Sequence, residues 1–451
     1  MYVSRVKRTY SSEIDSLLSG EKWQYKYISF SFPKEISQYG PDYEHDPPRD
    51  FTEVSDNVKE KVRAIFAEIE RVVDVRFVEM SQDPGQAIIR IGQCRVANPN
   101  AFYPHDHGCA GDIWLPATDK YRAPEIASFA HHAIRHEIGH ALGLKHPHES
   151  QPYGRMPAEM DSTRFTVMSY DSHRDVRALG CDYGDLPQSL MPLDLLALQS
   201  LYGARVGVPA SDDVYSWDPS TGARLVNGTD RGGATGSYVF EMVADSGGWD
   251  TFDFSNYTNP LTISLRPGEA CHAKRPPDVQ PDNCAERIAV FTPHILDGKA
   301  DFLIEVAIGG AGDDYIEGNH VGNCLRGGAG NDLMRGGAGD DLVEGGDGDD
   351  VISGDEGDDF LVGGGGRNLF VVFPGCGRDV IPDFKAGSGN VIDLRHFHLK
   401  SLDDVAMSDS EAFGGSATLQ FVEHGGERGG QLTLIGMSVE AIRSEPDIIL
   451  L

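Results

Sequence analysis

The sequence predicts two folded units of different class within 451 residues. The first is α+β, a mixed sheet with a helix beneath it; the second is all-β, built around a parallel β-roll. Three observations predict this. Helical and strand periodicities alternate as far as Gly203. Beyond Gly203–Pro209, Gly, Asp, Thr and Ser rise and helical periodicity disappears. From Gly309 to Val371 the chain repeats every nine residues without a gap.

Whole-chain composition narrows the possibilities. A net charge of −31 argues against nucleic acid as a partner, because its phosphates would be repelled. No stretch approaches the roughly 18–20 apolar residues of a membrane helix, so no membrane span is expected. Met1–Gly20 is polar and lacks the apolar core of an ordinary secretory signal peptide. The seven cysteines (Cys94, Cys109, Cys181, Cys271, Cys284, Cys324, Cys376) show no C-x-x-C spacing. Cys94/Cys109 and Cys271/Cys284 each bracket a short segment and are candidate pairs if the protein works outside the cell.

In chain order, Ile14–Pro33 reads as a short helix or turn and then an alternating strand, Lys26–Phe32. Val58, Val62, Ile65, Phe66 and Ile69 recur at helical spacing within Ser55–Val73. Strands are expected at Val75–Glu79, Ala87–Ile91 and Ala110–Leu115, the last preceded by a His/Gly-rich loop. A helix over about Glu125–Leu144 follows, then a Pro-rich loop, Phe165–Tyr170, and a helix over Pro192–Leu201 that Gly203 stops.

The helix before Leu144 carries His136-Glu137-x-x-His140-x-x-Gly143-x-x-His146. Residues four apart share a helix face, so His136 and His140 present two imidazoles to one point. Gly143 permits the positive φ that ends the helix and brings His146 back as a third nitrogen. Three neutral nitrogens with one open position describe a catalytic zinc site. Glu137 lies beside that point, where it can take a proton from a metal-activated water. His132, also one turn away, is read as an ordinary helix residue, as is His131.

The nine-residue units are GGAGDDYIE, GNHVGNCLR, GGAGNDLMR, GGAGDDLVE, GGDGDDVIS, GDEGDDFLV and GGGGRNLFV. Position 8 is apolar every time (Ile316, Leu325, Met334, Val343, Ile352, Leu361, Phe370), which builds a thin core between two sheets. Position 6 is a carboxylate at Asp314, Asp332, Asp341, Asp350 and Asp359. Fourteen acidic residues against three Arg in this stretch would repel one another unless cations neutralise them. Turn carbonyls plus carboxylates form an all-oxygen site for Ca²⁺, and the pattern is that of the calcium-binding RTX β-helix. The second unit carries Asn323 and the seventh Asn368 in place of Asp, so calcium sites that need them should be weak or missing.

With these motifs in view, the chain resembles the serralysin family, RTX-bearing metzincin zinc metalloproteases secreted by Gram-negative bacteria. The resemblance runs from Ile14-Asp-Ser-Leu-Leu-Ser-Gly-Glu-Lys-Trp23 through HEIGHALGLKHP and the Met-turn Val167-Met168-Ser169-Tyr170 to Asp194–Gly203. It implies an α+β metzincin catalytic domain over 14–205, with 1–13 as a short propeptide. It further implies a β-rich segment over 206–308, the Ca-binding parallel β-roll over 309–371, and a C-terminal β cap with a secretion signal over 372–451.

The resemblance makes His136, His140 and His146 the zinc ligands and Glu137 the general base. Met168 becomes the apolar floor, and Tyr170 a phenolic zinc ligand that swings away to bind the oxyanion. Substrate would pair with Ala110–Leu115, taken as an edge strand. Calcium would be held in a loop of Asp245, Gly247, Gly248 and Asp250. A second site would combine Glu305 with Gly310, Gly312 and Asp314. Asp212 suits a third, although Pro209 stands where a basic residue is expected. Inside the roll, ions would lie between a unit and the second unit after it. Gly310, Gly312 and Asp314 would meet Gly327, Ala329 and Asp332. Gly328, Gly330 and Asp332 would meet Gly345, Asp347 and Asp350. Gly337, Gly339 and Asp341 would meet Gly354, Glu356 and Asp359.

The implied partners are protein or peptide substrates, a type I secretion apparatus that reads Asp447-Ile-Ile-Leu-Leu451, and a periplasmic proteinaceous inhibitor. The implied state is a secreted, extracellular monomer. Two alternatives stay open: an RTX binding or adhesive protein with an inactive site, and a toxin with one narrow target. The segments 172–188 and 271–284 have no counterpart in the family pattern.

Overall fold

A computed structural model describes residues 3–40, 43, 50–171, 186–205, 211–233, 239–245, 247–273, 288–294, 302–385, 387–411, 415–421 and 429–451. Cys181, Cys284, Pro209 and most of the 172–188 and 271–284 segments lie outside the described residues.

The first unit is organised on a five-stranded sheet in the order Arg76–Glu79, Tyr27–Ser31, Ile89–Cys94, Ile113–Pro116, Asn100–Ala101. All neighbours are parallel except the last pair. Helix Asp56–Val72 is capped by Ser55 and buries Val58, Val62, Ile65, Phe66, Ile69 and Val72, the stripe that its spacing predicts. Phe66 packs against Phe30 of the sheet and stacks on Phe77. The motif helix runs Phe129–Ala141, later in starting than expected because Ser128 accepts the His131 amide and sets the cap there. Its residues from Ala130 to Ala141 are all buried, including the polar ones.

One expectation is corrected. Ala110–Leu115 is not a sheet edge: the strand there, Ile113–Pro116, has Asn100–Ala101 paired antiparallel on its outer side, Asn100 opposite Trp114 and Ala101 opposite Ile113. Among the described residues, the edge on that side is Asn100–Ala101. The early Asn-Pro-Asn run hid a two-residue strand too short to give a period.

Among the described residues the second unit is two sheets of twelve and ten strands. Successive nonapeptide units alternate between them, so each strand stacks in parallel on the strand eighteen residues away, as Leu325, Val343 and Leu361 do in one sheet and Met334 and Ile352 in the other. All seven position-8 side chains are buried between the sheets. The same sheets continue beyond the repeats. Val214–Trp217 and Thr251–Asp253 join upstream, and Gly377–Ile381, Gly430–Ile435 and Val391–Asp393 join downstream. The terminal Ile449–Leu450 pairs in parallel with Val391–Asp393.

Phe240, Met242, Ala289, Phe291 and Phe302 of the second unit belong to the core of the first. Gln188 donates its amide to Phe240 O and Met242 donates to Ser189 Oγ, which extends this join by hydrogen bonds. No helix among the described residues is long and apolar enough to cross a membrane. No disulfide joins the candidate pair Cys94 and Cys109. Cys94 lies in an apolar cluster with Tyr39 and Trp114, whereas Cys109 Sγ faces His105 Nε2 at 3.9 Å.

Candidate metal centre and calcium ladders

Helix end, return and floor together build the first site. Trp23 Nε1 and Tyr202 OH donate to Ala141 O and Leu142 O, each at 2.8 Å, and so satisfy carbonyls that the helix leaves bare. Gly143 at φ 101° turns the chain. His146 then comes back with its Nε2 3.1 Å from Nε2 of both His136 and His140. The Tyr170 hydroxyl stands 2.6 Å from His146 Nε2, its ring stacked on that of His136.

Beneath them lies Met168, fully buried. A Cβ on Gly139 would fall 2.6 Å from Met168 Sδ, so the glycine inside the motif is what lets this floor approach the helix. Asp194 holds the turn in place. It accepts from Thr166 Oγ1 at 2.6 Å, Val167 N at 2.8 Å and Met191 N at 2.9 Å.

The outer nitrogen of each imidazole is committed. His136 Nδ1 is 2.8 Å from Val167 O, His140 Nδ1 is 2.8 Å from Leu144 O, and His146 Nδ1 is 2.7 Å from Glu149 Oε1. Carbonyl and carboxylate oxygens only accept, so each Nδ1 carries its ring's proton and each Nε2 presents a lone pair inward. Burial also holds His136 neutral, down to about 4, and pushes His140 well below the usual range. Three converging lone pairs with no proton between them repel unless a cation binds there. Ligands about 2.1 Å from a tetrahedral ion stand about 3.4 Å apart, close to the spacing seen, so the donor set fits zinc.

Glu137 is buried beside this cluster, and burial alone pushes its carboxyl up to about 8. His132 lies 6.4 Å from His136, ring to ring, outside the convergent set.

The second site is a pair of ladders. Asp314 N donates to Asp332 Oδ1, Asp332 N to Asp350 Oδ1 and Asp350 N to Asn368 Oδ1, at 2.8–2.9 Å. On the other side Asn323 N donates to Asp341 Oδ1 and Asp341 N to Asp359 Oδ1. The turns stack in the same register. Ala329 N donates to Gly310 O, Gly330 N to Asp347 O and Gly339 N to Glu356 O. The roll thus brings together the groups expected to face one another.

The remaining oxygen of each carboxylate decides the chemistry. Oδ2 of Asp332, Asp341, Asp350 and Asp359 is buried without a hydrogen-bond partner. Desolvation, with neighbouring carboxylates adding to it, raises Asp332 to about 7, Asp341 to about 8 and Asp359 to about 6, and Asp350 also rises. Such oxygens need protons or cations. Asn323 and Asn368 differ: their amides donate to Glu305 O and Gly365 O, so these positions close on themselves.

Upstream, Asp212, Asp245, Asp250 and Glu305 form one acidic cluster. Asp250 N donates to Glu305 Oε2 and Trp249 N to Asp212 Oδ1, while Tyr215 OH donates to Asp245. Asp250 Oδ2 has no partner. Burial and the neighbouring acids raise Asp250 and Glu305 to about 7. Gly247 and Gly248 adopt positive φ within this loop. Glu305 therefore meets Asp250, while Gly310 N binds Asp314 Oδ2.

Sequence reasoning missed several residues. Glu149 stood three positions after His146 with no motif to mark it. Asp194 was seen only as part of a helix. Asp379 extends the second ladder by accepting from Asp359 N, and burial beside Asp359 raises it to about 8. The signal was present in Gly375-Cys-Gly377-Arg-Asp379, a repeat displaced by two residues.

The RTX calcium-binding nonapeptide repeat matches in four copies, over residues 304–320, 324–352 and 336–370. The chain is 29% identical over 341 residues to Serralysin of Proteus mirabilis, covering 67% of this chain and 63% of that one. The chain is similar to the serralysins. Serralysin B of Dickeya chrysanthemi is 36% identical over 37% of this chain and 35% of its own length. Metalloprotease AprA of Pseudomonas entomophila is 30% identical over 61% of this chain and 56% of its own. The chain thus spans less than two thirds of the length of these relatives.

Proposed function

We propose that the protein is a secreted, calcium-stabilised zinc endopeptidase that cuts extracellular proteins with broad specificity. The observation that carries this reading is the convergence of three unprotonated Nε2 atoms and the Tyr170 hydroxyl over Met168, with Glu137 buried at their side. The names of its relatives support the same activity.

His136, His140 and His146 would hold the zinc. When bound, that ion supplies Lewis acidity, which makes water a nucleophile near neutral pH and polarises the scissile carbonyl. Glu137 takes the proton of the attacking water and returns it to the leaving amine. Its carboxyl, high through burial, would be pulled down toward neutrality by an adjacent cation, which suits both directions of transfer. Tyr170 donates its phenolic hydrogen bond to the developing oxyanion. An extended substrate pairs with the free edge at Asn100–Ala101, next to Tyr103, whose ring packs on His140. Backbone pairing of that kind gives broad preference.

Calcium ions would occupy the ladders, and low cytosolic calcium would keep the acidic repeats open until export through a type I apparatus. A periplasmic inhibitor and a monomeric state complete the proposal. The test is Glu137→Ala, read on casein and on zinc content together. Casein hydrolysis falls by at least about 10²–10⁴, the range of general-base catalysis, while zinc stays near one per chain. Cleavage near the wild-type rate would remove Glu137 from the mechanism.

A further inference from the structure

We propose that His148 and Glu149 form a second, weaker transition-metal site on the outer side of His146, through which zinc in excess restrains the reaction. Ligand atoms of His146, His148 and Glu149 lie within 4.8 Å of one another, a set that shares only His146 with the first cluster. His148 is exposed, its ring parallel to that of His146 at 5.2 Å and 5.4 Å from that of Tyr170. Glu149 spends Oε1 on His146 Nδ1, which leaves Oε2 for another partner.

The loop that carries both residues is held from beneath. Lys145, buried, donates from Nζ to Glu149 O at 2.7 Å and Gly154 O at 3.1 Å. Such anchoring lowers the cost of ordering the ligands. One imidazole nitrogen and one carboxylate oxygen suit zinc, copper or nickel better than calcium. Two uncommitted protein donors bind more weakly than three nitrogens, so the site fills after the first.

An ion there draws on the carboxylate that orients His146 and stands against the ring of Tyr170. Both changes oppose turnover. This regulatory consequence rests on the endopeptidase reading; the binding site does not.

Wild type and His148→Ala, both saturated with calcium, are dialysed against a zinc series running from below to far above one equivalent. Bound zinc is read by atomic absorption, and peptide cleavage is read in parallel. A matching cobalt series is followed by its visible spectrum. Wild type takes up a second zinc, shows a second cobalt band, and loses activity over the same range. His148→Ala keeps its first zinc and its activity at one equivalent. Its second binding and its inhibition midpoint both move to at least about tenfold higher zinc, a shift in the range seen for losing even an outer partner of a metal site. Wild type that stops at one zinc overturns the proposal, as does a His148→Ala protein that fills and is inhibited like wild type. A second zinc bound through His148 without any cleavage leaves the site standing and refutes the endopeptidase reading instead.

Discussion

The two proposed metal-binding regions solve opposite problems. Around His136, His140 and His146 the protein arranges neutral nitrogens whose protons are tied to Val167 O, Leu144 O and Glu149, so the site is built before any ion arrives. Along the ladders it arranges buried carboxylates, and Oδ2 of Asp332, Asp341, Asp350 and Asp359 has no hydrogen-bond partner, so on the proposed reading ions would complete the fold. The difference teaches that one chain can separate chemistry from stability. The nitrogen cluster rides on an apolar core and a helix capped by Ser128, whereas the roll has a thin core between two sheets and buries carboxylates that protons or cations must neutralise.

The largest expected effect concerns calcium and pH. Asp332, Asp341, Asp359 and Asp379 have folded values of about 6 to 8, above the roughly 3.9 of an unfolded Asp. In calcium-free protein the folded roll therefore binds more protons than the unfolded chain between those limits. Its stability rises as pH falls from 8 toward 4 and is lost again on return to pH 8. Calcium competes with those protons. The thermal shift given by calcium should be far larger at pH 8 than at pH 5, each site adding about 2.7 kcal/mol at a hundredfold excess over its dissociation constant. Equal calcium shifts at the two pH values would mean that these carboxylates do not meet the ions.

A smaller effect isolates one rung. Asp341→Asn should remove one bound calcium and about 2.7 kcal/mol at that same excess, yet leave the calcium-free roll more stable than wild type at pH 8. Asn368 already shows an amide oxygen accepting the ladder bond at this position. Calcium counting by equilibrium dialysis, with melting in chelator, checks both halves.

Smaller still is Gly139→Ala. Its Cβ would press on Met168 Sδ inside the core, and overpacking of this kind costs about 1–3 kcal/mol, more than the helix propensity gained. Zinc affinity should fall with stability while calcium stoichiometry stays the same, which melting curves and metal analysis would show.

How much of this was legible depends on period and on distance along the chain. His136, His140 and His146 could be found because their spacing is set by one helix turn and one glycine. The ladder carboxylates could be found because nine residues bring each unit to the same place. Glu149 and Asp194 could not, since each acts through a hydrogen bond that only the folded return of the chain creates. Asn100–Ala101 is too short to carry a strand period, so the sheet edge was assigned one strand too far inward. Asp379 escaped because two extra residues break the repeat, and the ladder continues across a spacing of twenty. Cys94 and Cys109 bracketed a short segment, but their strand and loop point the thiols into different surroundings.

The contrast between the regions is tested most directly by amide hydrogen exchange at pH 8 on protein stripped of both zinc and calcium. The account predicts that helix Phe129–Ala141 stays protected while residues 309–371 exchange freely, and that calcium alone restores their protection. A roll that remains protected without calcium, or a motif helix that opens without zinc, would contradict it.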